Sequence, residues 1–281
     1  MSLTPHRLPL DAPPVGRVIS TYNAYHLGDN LLSLHYLRGL AKAHPELHFT
    51  HAAPATYLDQ LAPLTADLPN LSLHPLATSV PNWIRDAVNT WLGADGWFYT
   101  QPDRHDFVAI YHRHFANLSR ALGLACPFAG ADPRDLLFDY PALEMPAADG
   151  GVARILVVNS PPQSGQFQGF SHDGFDRVIA LLDAAGHNVI TTSPSLIADI
   201  PCTQAQRMDV TAIGRLAQRC TAIIGVPTGP MWPTFNIWNA DTTTLRLLLL
   251  DTEQVNILPE HTVHANHLSL VPELLKDRGL L

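Results

Sequence analysis

The chain has 281 residues, of which 46% are hydrophobic and 15% charged, and its formal net charge at pH 7 is -8. This length suits two domains of roughly 100–150 residues each, with enough apolar residues for a core in both. The negative charge and the lack of a basic cluster argue against binding to nucleic acid and against tight docking on anionic lipid. The three cysteines stand alone in the sequence, and they are Cys126, Cys202 and Cys220. Isolated cysteines favour a reducing compartment, so we expect a cytoplasmic protein.

The first half of the chain alternates strand and helix patterns, which is typical of a parallel sheet covered by helices. A strand is predicted over Arg17–Tyr22, then a turn and a helix over Asn30–Ala43, whose leucines recur every third residue. A Pro- and Ala-rich passage over Asp132–Gly151 is predicted to link two domains, 1–150 and 151–281. The other elements predicted in this half are strands over Leu47–His51 and Leu71–His74 and helices over Ala55–Ala62, Asn82–Leu92 and Phe107–Leu122.

The same alternation restarts after the linker. A buried strand is predicted over Ala153–Val158, followed by a long polar loop over Asn159–Gly169 and a helix that Ser171 caps. Two α/β halves in tandem predict an α/β protein with a cleft between its domains. The remaining predicted elements are strands over Asn188–Thr191, Thr221–Val226 and Leu245–Leu250 and helices over Val210–Gln218, from Pro230 onward and over Val271–Lys276.

The loop His26–Asn30 directly follows the first strand and is the first candidate site. Ligands of open parallel sheets bind outside the carboxyl ends of the strands. Gly28 allows close approach of a ligand to the backbone, and the carboxylate of Asp29 is suited to accept a proton from an attacking sugar hydroxyl. The alternative is that Asp29 only caps the helix and that His26 is a surface histidine.

The loop Val226–Trp232 follows the strand Thr221–Val226 and is the second candidate. A glycine turn at a helix start offers free N–H groups and a positive dipole end, which suit a pyrophosphate. An ordinary strand-to-helix turn is the alternative, since neither GxGxxG nor P-loop spacing is present. The polar side chains of Asn159–Gly169 are suited to meet phosphate or sugar oxygens, whereas a flexible connection is their alternative interpretation.

These segments together resemble the ADP-heptose:lipopolysaccharide heptosyltransferases, glycosyltransferase family 9. In the first half the resemblance lies in His26-Leu27-Gly28-Asp29-Asn30-Leu31-Leu32, then Leu37-Arg38-Gly39-Leu40 and His44-Pro45. In the second half, Thr221–Val226 followed by Thr228-Gly229-Pro230-Met231 is similar to the donor loop of that family. The order and spacing of these short motifs carry the resemblance over most of the chain.

The resemblance implies a GT-B fold, in which two Rossmann-like domains face each other across a cleft, and an inverting glycosyltransferase. It implies that the first domain binds a glycan or lipid-linked acceptor and the second a nucleotide-sugar donor, with no metal or other cofactor and with a peripheral contact at the inner membrane. Asp29 is the implied catalytic base. The implied substrate-binding residues are His26, Gly28, Asn30, Asn159, Ser160, Gln163, Ser193, Ser195, Thr228, Gly229, Pro230 and Met231.

Two departures from the family pattern keep other functions open. Pro227 stands where the family has an aspartate before Thr-Gly, and Gln166 and Gln168 lie near the position of a missing lysine. A GT-B-shaped nucleotide- or sugar-binding protein without turnover is therefore one alternative, and a sugar-nucleotide epimerase is another. The first half also contains three tryptophans, Trp83, Trp91 and Trp97. Two interpretations stay open for them, because their rings either stack on sugars or belong to the core.

Overall fold

The computed structural model describes residues 17–76, 88–91, 106–128, 130, 132–143, 154–163, 165–251, 255 and 257–281. The chain divides into two compact units, Met1–Leu136 and Leu137–Leu281. None of the helices in these described ranges combines the length and the hydropathy needed to cross a bilayer.

The first unit contains a parallel sheet whose described strands lie in the order β3-β2-β1-β4. Every pairing in this sheet is parallel: β1 pairs with both β2 and β4, and β2 pairs with β3. The strands are β1 (Val18–Tyr22), β2 (His48–Pro54), β3 (Leu71–Leu76) and β4 (Val88–Asn89), and the α-helices are α1 (Leu27–Ala43), α2 (Leu58–Leu61) and α3 (Phe107–Leu122).

Helix α1 is buried on nearly every side, which explains why its sequence is apolar beyond a single face. Arg38 is 1% exposed and donates to both carboxylate oxygens of Asp67 and to the carbonyl of Leu64. A Cβ on Gly39 would lie 2.1 Å from the ring of Phe128, so only glycine allows this approach. The Leu37–Leu40 motif therefore serves the core of the first unit.

The second unit contains a parallel sheet in the order β6-β5-β7-β8-β9. Strands β5, β7 and β8 are central and almost wholly buried, as their continuous runs of Ile, Leu and Val predict. The strands are β5 (Arg154–Val158), β6 (Asn188–Thr191), β7 (Cys220–Gly225), β8 (Leu245–Leu249) and β9 (Thr262–Ala265), and the α-helices are α4 (His172–Ala184), α5 (Val210–Ala217) and α6 (Val271–Asp277).

Arg246 is a fully buried cation within β8. Its guanidinium donates to the carbonyl and side-chain oxygens of Asn239 and to the carbonyl of Thr243, and it lies 5.6 Å from the ring centre of Phe235. Burial lowers the pKa of Arg246 to about 10, with Glu260 and Asp241 acting in the opposite direction. At neutral pH the side chain stays charged and anchors the segment that precedes β8.

Three details of the sequence prediction change. Within the helix predicted over Asn82–Leu92, the described residues Val88 and Asn89 form strand β4, paired with Thr21 and Tyr22 of β1. Strand β9 was not predicted, because its short polar sequence lacks a buried run. The unit boundary follows Leu136, since Phe138 pairs with the segment around Asn236 of the second unit through two backbone hydrogen bonds.

Candidate functional site

The loop after β1 places Asp29 at the third position of helix α1, not at its N-cap. His26 is the N-cap residue and makes no side-chain capping bond; it is half-buried, as is Gly28. The backbone N–H groups of His26 and of Asp29 itself favour the ionised form of the Asp29 carboxylate. A carboxylate reaching back to the first N–H groups satisfies donors that have no partner within the helix. The alternative that Asp29 is the N-cap residue is thus wrong, because His26 occupies that position.

Burial raises the pKa of Asp29 above its usual value of 3.8. The charge of His26 and the backbone hydrogen bonds from His26 and Asp29 oppose this rise without cancelling it. A raised pKa brings a carboxylate closer to the range in which it acts as an efficient general base. Asp29 is half-buried, so its side chain remains partly accessible from outside the protein.

Beneath this loop lies a buried hydrogen-bond network of Thr21, His51 and Asn30. The amide nitrogen of Asn30 donates to the carbonyls of Tyr25 and His26, so its oxygen is left as an acceptor facing Nε2 of His51 at 3.2 Å. His51 therefore donates from Nε2, while its Nδ1 lies 2.9 Å from the hydroxyl of Thr21, which donates to the carbonyl of Thr50 at 3.0 Å. Asn30 is fully buried, and both its donors are used by backbone. These contacts fix the loop through Asn30.

Acidification is expected to destabilise the protein, because several histidines are held neutral. Burial lowers the pKa of His51 from 6.5 to about 3 and that of His114 to about 4. Below pH 6.5 the unfolded chain binds protons on these side chains and the folded protein does not, so stability falls as the pH decreases from 6.5 toward 4. The expected loss approaches about 1.4 kcal/mol per pH unit for each histidine.

Urea unfolding at a series of pH values measures this slope. His51→Gln removes one of these buried histidines and is expected to flatten the profile, whereas His172→Gln, at an exposed position, leaves it unchanged. A wild-type free energy of unfolding that stays constant from pH 6.5 to 4 would contradict the buried neutral state.

At the carboxyl edge of the second sheet, the loops after β5 and β6 are joined by side-chain hydrogen bonds. Asn159 donates to the carbonyl of Ser193 at 3.0 Å and accepts from its N–H at 2.8 Å. The hydroxyl of Ser160 lies 2.9 Å from that of Thr192 and 3.0 Å from that of Ser193. Asn159 is 1% exposed, and its hydrogen bonds join the two loops. Ser160 is the half-buried member of this group.

The loop over Asn159–Gly169, for which a flexible connection is the alternative interpretation, is held to the loops after β7 and β8. The side chain of Gln166 donates from Nε2 to the carbonyl of Pro227, and its backbone carbonyl accepts from the N–H of Asp251. Gln168 donates its N–H to the carboxylate of Asp251 at 2.9 Å, while Gln163 is exposed. The glutamines near the missing lysine therefore connect this loop to those after β7 and β8.

Ser195 lies in the loop after β6, where its hydroxyl donates to Asp176 at 2.5 Å and accepts from the N–H of Ile197. Asp176 also accepts from the N–H of Leu196, whose side chain is 86% exposed. Ser195, an implied substrate-binding residue, therefore anchors its loop to helix α4.

The loop after β7 begins with a close approach to β5. Gly225 has a φ of 152°, and a Cβ there would lie 2.2 Å from the carbonyl oxygen of Val158, so glycine is required. Thr228 follows with extended backbone and donates its N–H to the carbonyl of Val226 at 2.7 Å. The hydroxyl of Thr228 is buried and has no hydrogen-bond partner among the described residues. Unsatisfied buried polar atoms are rare and call for an explanation.

The α-helix predicted from Pro230 is instead a six-residue 3-10 segment, Gly229–Thr234, that contains two prolines. A segment this short aligns few peptide dipoles, so the predicted dipole effect is small. Met231 is fully buried and its N–H donates to the carbonyl of Thr228, so neither group is available to a ligand. Gly229 and Pro230 are half-buried. The available donors in this loop are the hydroxyl of Thr228 and the N–H of Gly229.

The networks around His51 and Asp176 were missed by sequence reasoning. The only signal in the sequence was an unusual His-Phe-Thr-His run over 48–51 in a predicted strand. Across the described ranges, no group of three or more His, Cys, Asp or Glu side chains is arranged to hold a metal ion.

Comparison with known proteins gives a consistent picture of the fold. No protein-family model matches the sequence, and no curated protein matches it. Among solved structures, a glycosyl transferase family 9 protein from Veillonella parvula is 13% identical with a TM-score of 0.56, covering 99% of this chain and 90% of that one. E. coli ADP-heptose LPS heptosyltransferase II is 13% identical with a TM-score of 0.56, covering 93% and 98%.

A third similar structure is E. coli heptosyltransferase WaaC with ADP, which is 11% identical with a TM-score of 0.55 and covers 94% of this chain and 98% of that one. At these identities the similarity concerns the fold. The chain is an α/β protein with parallel sheets in both units, the fold of GT-B glycosyltransferases. This agrees with the fold predicted from the sequence.

Proposed function

We propose that the protein is an inverting glycosyltransferase that moves a sugar from a nucleotide-diphosphate sugar to a glycan, lipid or other acceptor. The observation that carries this proposal is Asp29, a half-buried carboxylate with a raised pKa in the first turn of helix α1, the helix that follows β1 of the first sheet. In our proposal Asp29 accepts the proton of the acceptor hydroxyl as that oxygen attacks the anomeric carbon. The bond to the diphosphate breaks on the opposite face, so the anomeric configuration inverts.

The donor diphosphate is assigned to the loop after β7. The hydroxyl of Thr228 has no partner among the described residues, so it is a donor that a phosphate oxygen would satisfy, and the residue itself is half-buried. The N–H of Gly229 supplies a second donor beside it. Hydrogen bonds to an anion are stronger than those between neutral groups, so these two donors favour the departing nucleoside diphosphate. The ADP bound in the similar WaaC structure supports this choice of ligand class.

A nucleotide-binding protein without turnover is the second candidate. It is favoured by Pro227, which removes a carboxylate from the donor loop, and by Gln166, which spends its amide on the carbonyl of Pro227. The loop over 159–169 contains no lysine or arginine, so side-chain compensation of the diphosphate charge there is limited.

Donor turnover separates the candidates. ADP-, UDP-, GDP- and CDP-sugars would be incubated with the protein, with and without a pool of bacterial glycans, and nucleotide release followed by chromatography. Release that depends on the glycans, with a product whose anomeric NMR coupling shows inversion, is the expected result. A changed sugar nucleotide without acceptor would indicate an epimerase. Binding of nucleotides without turnover under any condition would overturn the transferase proposal in favour of the binding protein.

A further inference from the structure

Two aromatic side chains form a stacked pair at the carboxyl edge of the first sheet. The rings of Tyr25 and Trp91 have centroids 3.4 Å apart and an interplanar angle of 21°. Tyr25 follows β1 and Trp91 follows β4, which are neighbouring strands. We call this pair the aromatic platform. Of the two residues, Tyr25 lies four positions before Asp29 in the sequence.

The platform is held from both sides by equivalent backbone turns. The side-chain oxygen of Asn23 accepts from the N–H of Tyr25 at 2.9 Å, and that of Asn89 accepts from the N–H of Trp91 at 2.9 Å. Asn30 of the buried network donates to the carbonyl of Tyr25. Both aromatic residues are therefore fixed before any ligand arrives, which lowers the entropic cost of binding.

The aromatic platform differs from the aromatic core of the same unit. Tyr36, Tyr111 and Phe115 stack on one another and are completely buried. Tyr25 and Trp91 are half-buried, and neither the phenol hydroxyl nor the indole N–H is bonded to any described residue. Trp91 therefore lies outside this fully buried aromatic cluster, while Trp83 and Trp97 lie outside the described residues. The platform combines partly exposed aromatic rings with polar edges, a combination typical of binding surfaces.

We propose that the aromatic platform binds a neutral pyranose ring of the acceptor. The C–H face of a pyranose packs on an aromatic ring, and its hydroxyls meet the polar edges of Tyr25 and Trp91. This inference rests on the proposed transferase function, since it places acceptor sugar beside the base Asp29. The net charge of -8 disfavours a strongly anionic acceptor. A nucleobase also stacks on aromatic rings, but the donor is assigned to the second unit.

Binding to a glycan array tests this directly. Biotin-labelled full-length protein would be applied, without any nucleotide, to printed bacterial oligosaccharides with neutral linkers. We expect binding to glycans that end in a neutral hexopyranose, a loss of signal of about tenfold or more for Trp91→Ala and Tyr25→Leu, and retention of most of the signal for Trp91→Phe. Trp238→Ala changes a half-buried tryptophan of the second unit and is the matched control, expected to bind as wild type.

Wild-type protein that binds none of the glycans, or Trp91→Ala and Tyr25→Leu variants that bind like wild type, would overturn the inference. A calorimetric titration of Trp91→Ala with ADP is expected to match wild type; weaker ADP binding would assign a nucleobase to the platform and overturn it too. Glycan binding that depends on Trp91 in a protein without donor turnover would leave the platform standing while the transferase proposal fails.

Discussion

Replacing Asp29 by asparagine is expected to abolish most sugar transfer while leaving the fold intact. A positioned general base contributes about 10²–10⁴-fold to the rate, and asparagine cannot accept the proton. The side-chain oxygen of Asn can still accept from the N–H of His26, so the start of helix α1 is preserved. Because burial raises the pKa of Asp29, ionisation of this side chain costs stability at neutral pH. The melting temperature of Asp29→Asn is therefore expected to equal or exceed that of wild type.

Steady-state nucleotide release and thermal unfolding, measured on the same preparations, check both parts. Asp59→Asn is the matched control, since Asp59 is also an acidic residue in the first turn of a helix of the first unit but is exposed. Unchanged turnover in Asp29→Asn would remove Asp29 from the mechanism, and a large loss of stability would give it a structural role instead.

The pH dependence of the wild-type rate offers a further check on Asp29. Only the deprotonated carboxylate accepts a proton, so kcat/KM is expected to fall as the pH decreases through the pKa of Asp29. Since that pKa lies above 3.8, the acid limb should lie above the range of an ordinary aspartate. Circular dichroism at each pH shows whether the protein is folded. The acid limb is assigned to Asp29 where kcat/KM falls while the protein is still folded.

Replacing Thr228 by valine is expected to weaken nucleotide binding without loss of stability. A hydrogen bond to a charged group contributes about 1.5–3 kcal/mol, so the dissociation constant of a nucleoside diphosphate should rise about 10- to 150-fold. Valine has nearly the same shape and removes a buried hydroxyl that has no partner among the described residues. Such a replacement is close to neutral or stabilising.

Thr243→Val is the matched control for this variant. Thr243 is fully buried in the same unit, but its hydroxyl donates to the carbonyl of Cys220 at 3.0 Å. Its replacement should lower the free energy of unfolding by about 1 kcal/mol and leave nucleotide affinity unchanged. Equal affinities of Thr228→Val and wild type would exclude the threonine hydroxyl as a phosphate donor.

The sequence identifies strands well where burial dominates. The apolar runs of β5, β7 and β8 were placed to within a residue or two, because a strand buried on both faces has a continuous hydrophobic pattern. Strand β4 has only two residues, and β9 has the polar sequence Thr-Val-His-Ala. Their conformation depends on pairing with distant strands, which leaves no local signal.

The start of helix α1 was predicted three residues late for a related reason. His26 caps the helix with its backbone alone, so no favoured capping side chain marks the position. Residue type suggested that Asn30 and Asn159 contact substrate. Their amides are instead used by His51 and the loop of Ser193, partners that are 21 and 34 residues away in sequence. Polar side chains near a strand end therefore indicate where a site lies. They do not distinguish the side chains that contact a ligand from those that hold the loops in place.

The proposed function depends most directly on binding of a nucleoside diphosphate by the second unit. Isothermal titration of the full-length protein with ADP, UDP, GDP and CDP measures it, with Thr228→Val as the comparison. Saturable binding of at least one of them at one site per chain, weakened by Thr228→Val, is the result that our account predicts. The absence of binding heat with all four, at temperatures where the protein is folded, would contradict it.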